Sequence, residues 1–164
     1  MIRLLVTGGT LDKRYSELDG SLGFGEASRV PDMLAQGRSE VGVTVETLFL
    51  KDSLDLDDAD RSAIVEACRA CAERRVLITH GTDTVVETAR WIAAAELGKT
   101  VVLVGAMIPH AFKRSDALFN LGAAVAAVQC LPAGVNVVMN GRVFAWDNVT
   151  KNRRRGAFEP LQPI

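Results

Sequence analysis

Apolar residues concentrate in five short runs, Ile2 to Val6, Val43 to Leu50, Val76 to Thr79, Thr100 to Val104 and Val135 to Met139. They are compact and largely β-branched, which is how a strand reads when a sheet buries both of its faces. Between them lie stretches punctuated as helices. Val30-Pro31 opens a short one, because proline suits a first turn. Asp57 to Arg74 begins acidic and ends basic, which complements a helix dipole. A third helix follows Thr84 and runs to about Leu97, where Gly98 stops it, and an Ala-rich fourth spans Asp116 to about Gln129. Residues 11–28 and 105–116 carry no sustained period and read as loops. The alternation predicts an α/β fold: a single doubly wound, mainly parallel, five-stranded sheet with helices on both faces, a flavodoxin-like three-layer sandwich with right-handed crossovers.

Composition narrows the picture. With 164 residues, 48% hydrophobic and 24% charged, the chain suits one domain, residues 1–164, with a sizeable core. A net charge of −1 argues against nucleic acid or an anionic membrane as partner, since both demand clustered positive charge. The opening MIRLLV is too short for the apolar region of a signal peptide, and no apolar run approaches the ~20 residues of a membrane span, so the expected location is the cytoplasm. Cys68, Cys71 and Cys130 form an odd set. A structural zinc site would need a second ligand pair at matching spacing, and only His80 and His110 are available, which argues against zinc. Redox C-x-x-C motifs open helices, whereas Cys68 and Cys71 fall near a helix end on the face of Ile64, which favours packing.

The chemistry gathers where the strands end. The stretch from 76 to 88, VLITHGTDTVVET, is a strand, a glycine turn and a helix start, and the carboxyl end of a parallel strand is where ligands bind. Thr82, Asp83 and Thr84 stand there in a row; taken alone, they also suit helix capping. Three other strand ends repeat the pattern: Thr7-Gly8-Gly9-Thr10, Asp52-Ser53 and Gly105-Ala106-Met107. A dinucleotide or phosphate loop would need G-x-G-x-x-G or G-x-x-x-x-G-K-[ST], and neither is present, which argues against a dinucleotide. Hydroxyls, carboxylates and small residues that expose backbone N–H groups suit acyl transfer.

In this order and spacing, T-G-G-T at 7–10, D-S at 52–53, H-G-T-D-T at 80–84, G-A-M at 105–107 and N-V-T-K at 148–151 resemble the bacterial-type L-asparaginases, in the short form similar to their N-terminal domain alone. The resemblance implies an L-asparagine amidohydrolase working through a threonine acyl-enzyme, without metal or cofactor. Thr10 would be the nucleophile, with Tyr15 on the long loop activating it and closing over the substrate. Thr82, Asp83 and Lys151 would form a second hydroxyl, carboxylate and amine group. Asp52 and Ser53 would grip the α-amino and α-carboxylate groups, while Gly9, Gly81 and Ala106 line the pocket and N–H groups at Thr82 and near Ala106 hold the oxyanion. The resemblance also implies a homodimer or homotetramer and leaves out the second family domain, which in longer members lends an acidic group to a neighbour's site.

Each role has a plainer alternative. Tyr15 is also readable as a surface aromatic, Ser53 as a helix-approach cap, and Lys151 as part of a solvated basic run with Arg153, Arg154 and Arg155. For the whole chain the alternatives are a non-catalytic amino-acid-binding module and an amidohydrolase for glutamine or another small amide.

Overall fold

The computed structural model describes residues 1–163. Ten strands and four helices follow in chain order: β1 (Ile2–Gly8), β2 (Lys13–Tyr15), β3 (Leu22–Phe24), α1 (Val30–Gln36), β4 (Val43–Lys51), α2 (Asp58–Ala70), β5 (Arg75–Thr79), α3 (Val85–Ala94), β6 (Thr100–Val104), α4 (Ala117–Cys130), β7 (Gly134–Met139), β8 (Arg142–Ala145), β9 (Thr150–Asn152) and β10 (Ala157–Glu159). Short 3-10 turns follow β1 at Thr10–Asp12 and β4 at Ser53–Asp55.

The main sheet runs β4-β1-β5-β6-β7-β8. Its first five strands are parallel, in the doubly wound order expected of a flavodoxin-like sandwich. The central strands are buried because helices cover both faces; Leu4, Leu5, Val6, Leu77, Ile78, Val102 and Leu103 are wholly inaccessible. Ile64 and Cys68 join this core from α2, where burial pushes the Cys68 thiol up to about 12, so the C-x-x-C half that points inward is an inert packing group. Cys71 caps the helix end and Cys130 is exposed.

The sheet has six strands rather than five. β8 turns back antiparallel on β7 through Asn140-Gly141, two positive-φ residues that suit a two-residue hairpin. The polar loop 11–28 contains the antiparallel hairpin β2–β3, and the C-terminal stretch contains the hairpin β9–β10, with Lys151 paired to Phe158. These strands are three residues long, too short to leave a period in the sequence. Two helices also stop early. α2 ends at Ala70 rather than Arg74, and α3 at Ala94 rather than Leu97, with Glu96 and Gly98 at positive φ unwinding the chain toward β6.

Between β1 and β4 the chain moves to one side of β1, and between β4 and β5 it crosses to the other. The carboxyl ends of β1 and β5 therefore flank the crevice where strand order reverses, which is where open α/β sheets bind ligands.

Candidate active site

Two glycines bring the β1 and β5 exits together. The strands pair as far as Val6 with Thr79, and beyond that register Gly9 packs on the backbone of His80 and Gly81 so closely that a Cβ would overlap it. Gly9 holds φ 81 and ψ 177, a conformation essentially reserved for glycine. Gly81 in turn packs on Ser53, with room for no side chain. Gly9, Ser53 and Gly81 thus form one tight rim, with Thr10 and Thr82 each one residue past an abutting glycine. Thr10 is half-buried and opens its 3-10 turn; Thr82 keeps 6% exposure.

Lys151 reaches this rim from β9. Its Nζ lies 2.8 Å from Thr82 Oγ1 and 2.9 Å from Asp83 Oδ1, with the side chain only 17% exposed. Lys151 is therefore a packed member of a hydroxyl, ammonium and carboxylate cluster, not part of a solvated run. Arg153 Nη1 binds the same Asp83 oxygen at 2.8 Å, while Arg154 and Arg155 stay exposed. Asp83 is thereby occupied by two cations and does not cap α3. Thr84 holds the N-cap position, but its hydroxyl donates to the Ser53 carbonyl oxygen at 2.8 Å and ties the β5 exit to the β4 exit. A cavity of about 240 Å³ opens beside the cluster, lined by Thr82, Asp83, Lys151, Arg90 and Arg153 among others.

The remaining expected residues divide. Asp52 caps the 3-10 turn, accepting from the Leu54 N–H at 3.1 Å, and takes the Lys13 ammonium at 2.5 Å, which holds its carboxyl below the ordinary range. Ser53 is 1% exposed and its hydroxyl has no partner among the described residues. Tyr15 is 57% exposed on β2, two residues from Lys13 and hence on the same strand face. In the loop after β6, the Gly105 N–H contacts Met139 Sδ, and those of Met107 and Ile108 donate to Asp116. Among the described residues the Ala106 N–H alone in that run has no partner, and Ala106 is wholly buried.

Several supporting residues escaped the sequence reading. Asp116 and Asn120 clamp the β6 loop, Asn120 donating to the Gly105 carbonyl oxygen at 3.1 Å and to Asp116 at 2.8 Å. Asp12, buried, accepts from Ser28 Oγ and the Arg29 N–H and so pins the long loop back on itself; burial raises its carboxyl above the usual range. A strand end followed by D-x-x-x-N at a helix start was the available signal for the first pair. Lys13 and Arg153 left none, because their partners are distant in sequence.

His80 is fully buried between the Gly81 carbonyl, 2.8 Å from Nδ1, and the Thr88 hydroxyl, 2.8 Å from Nε2. A carbonyl only accepts, so Nδ1 carries the proton and Nε2 accepts from Thr88. Burial pushes His80 down to about 4. Because that lies below the unfolded value, the unfolded chain binds a proton that the folded one refuses, and stability falls as pH drops from about 6.5 toward 4, by on the order of 3 kcal/mol. Urea titrations at pH 7 and pH 4.5 measure the loss, and His80→Asn is expected to flatten it.

Among the described residues, no three His, Cys, Asp or Glu side chains gather as a metal site, and no helix is long and apolar enough to cross a membrane. The chain is an α/β protein with a doubly wound sheet, and a threonine, a lysine and an aspartate are joined at the carboxyl edge of that sheet, where open α/β sheets bind ligands. The profile of the family described as "Asparaginase, N-terminal" matches residues 1–161, and the chain belongs to that family. It is 32% identical to the "Probable L-asparaginase periplasmic" of Haemophilus influenzae over 163 residues, covering 92% of this chain and 46% of that protein. A "Glutaminase-asparaginase" of Acinetobacter glutaminasificans is 44% identical over 80 residues, 46% of this chain and 24% of the relative. The crystal structure of L-asparaginase I from Vibrio cholerae superposes with a TM-score of 0.85 at 26% identity, covering 99% of this chain and 52% of that one. The chain therefore spans about half the length of the longer relatives it matches.

Proposed function

We propose that the chain is an L-asparagine amidohydrolase that releases ammonia and aspartate through an acyl-enzyme on Thr10. The contact of Lys151 with both Thr82 and Asp83 carries this reading. Thr10 Oγ attacks the side-chain amide carbon, its proton passing to a base, while the N–H of Thr82 steadies the developing oxyanion. Thr82 Oγ1 accepts from Lys151 and gives its own proton to the departing amide nitrogen, the Lys151 ammonium replacing it as ammonia leaves. Water then attacks the Thr10 ester, its proton returning to Lys151, while the base returns the first proton to the Thr10 oxygen and aspartate is released. Asp83 holds the Lys151 amine in place, and Tyr15, on the same strand face as Lys13, closes the loop side of the site.

The relatives' names support asparagine and keep glutamine as a second substrate, since one of them is a glutaminase-asparaginase. A homodimer or homotetramer is supported by α4, which carries no charged residue from Ala117 to Cys130 and leaves Phe119 64% exposed. Ammonia release measured with asparagine and glutamine side by side tests the assignment. Turnover of asparagine is the expected result; saturable asparagine binding without ammonia would identify a binding module instead.

A further inference from the structure

Lys151 reaches Thr82 from a hairpin that stands outside the main sheet, since β9 and β10 pair with each other and not with its six strands. Two features seat that hairpin. Phe158 is buried among the core residues and stands opposite Lys151 across the two strands, so that their side chains share one face. Apolar burial has no direction, and Phe158 by itself leaves the hairpin free to tilt. The direction comes from a hydrogen bond, in which the Phe158 N–H donates to Asn140 Oδ1 at 2.9 Å. Apart from the side chains of Lys151 and Arg153, it is the one hydrogen bond that residues 150–159 make with the rest of the described residues.

Asn140 is itself held from behind. It sits at φ 56 in the turn between β7 and β8, a left-handed conformation that asparagine tolerates better than most residues, and its N–H donates to Asn120 Oδ1 at 3.1 Å. Asn120 is wholly buried, and its amide nitrogen donates to the Gly105 carbonyl oxygen and to Asp116. With both amide hydrogens and its oxygen paired, it is a fixed point. The bonds thus run from the β6 exit through Asn120 and Asn140 to Phe158, directly opposite Lys151. We propose that Asn140 is a positioning residue for Lys151: its side-chain carbonyl sets the tilt of the β9–β10 hairpin and thereby the approach of the ammonium to Thr82 and Asp83. Lys151 Nζ meets those two acceptors at 2.8 and 2.9 Å, the short range of charged donors, so a small tilt weakens both contacts. The effect on turnover rests on the amidohydrolase reading; the effect on the hairpin does not.

Asn140→Gly and Asn140→Asp separate the hydrogen bond from the turn. Glycine accepts the positive φ and keeps the N–H that Asn120 binds, so it removes the side-chain acceptor alone, whereas aspartate tolerates the same φ and keeps the acceptor. Asn140→Gly is expected to lower kcat for asparagine by about tenfold or more with KM changed by less than about twofold, because misplacing a catalytic group costs turnover more than binding. Asn140→Asp is expected to keep kcat within about twofold of wild type. Two further measurements need no turnover. Amide hydrogen exchange in the β9–β10 ladder and acetylation of the Lys151 amine by acetic anhydride should both quicken in Asn140→Gly and stay near the wild-type rate in Asn140→Asp. Wild-type kcat in Asn140→Gly overturns the proposal, because Phe158 alone then seats the hairpin. Equal losses in the two variants also overturn it, as they report a disrupted turn. If wild type releases no ammonia, the amidohydrolase reading falls, and exchange and acetylation decide the positioning: it stands if both quicken in Asn140→Gly alone and falls if they do not.

Discussion

Replacing Thr82 by Val, which keeps the shape and removes the hydroxyl, is expected to cut ammonia release from asparagine by on the order of 10³-fold or more, and Thr10→Ala by a similar factor. Lys151 donates to Thr82 Oγ1 at 2.8 Å, so Thr82→Val removes one acceptor for the ammonium together with the proposed proton donor to the leaving nitrogen. Lys151→Met removes the same linkage from its other end, and groups acting as a unit do not add. The double variant Thr82→Val with Lys151→Met should therefore fall about as far as either single change. Steady-state kinetics on purified variants, with unfolding midpoints as a control for folding, decide the matter. Near-wild-type turnover in both Thr10→Ala and Thr82→Val would remove the proposed chemistry and leave only the family and the fold.

Gly9→Ala should be the most damaging small substitution at the rim. Two penalties combine. At φ 81 and ψ 177 an alanine pays ~1–3 kcal/mol of backbone strain. Its Cβ would also overlap the Gly81 backbone, which has no flexible side chain to yield, and overpacking of that kind costs a further ~1–3 kcal/mol. The total is a large fraction of the ~5–15 kcal/mol that holds a domain folded. Gly98→Ala is the matched control: φ is positive there too, at 65°, but nothing lies within 4 Å of the point a methyl group would occupy, so only the backbone term applies. Urea unfolding should show Gly9→Ala far less stable than Gly98→Ala; equal midpoints would mean that the β1 and β5 exits are not wedged together.

The legible parts of this protein share a cause. Strands Ile2–Gly8, Arg75–Thr79 and Thr100–Val104 were readable because a strand buried on both faces must be apolar throughout, a constraint that acts locally. The motif residues were readable because a strand, a glycine turn and a helix start place their polar groups at a known edge of the sheet. The short hairpins were not. Three-residue strands such as Lys13–Tyr15 and Thr150–Asn152 hold together through partners elsewhere, and without that context K-R-Y and T-K-N look like loop. The basic run at the C-terminal end divides only in three dimensions: Lys151 packs against Asp83, some seventy positions away, Arg153 reaches the same carboxylate from solvent, and Arg154 and Arg155 stay exposed.

Sequence alone determined the class of fold, its parallel strands and the family, because burial periodicity and a spaced set of motifs are properties of the chain read in one dimension. Only the tertiary structure decided that Asp83 is shared by two cations, that Thr84 ties two loops instead of capping a helix, and that Lys13 stands against Asp52. Those pairings depend on where a crossover lands and how closely two glycines let backbones approach. Such distances are fixed by packing over the whole sheet, and no short stretch of residues encodes them.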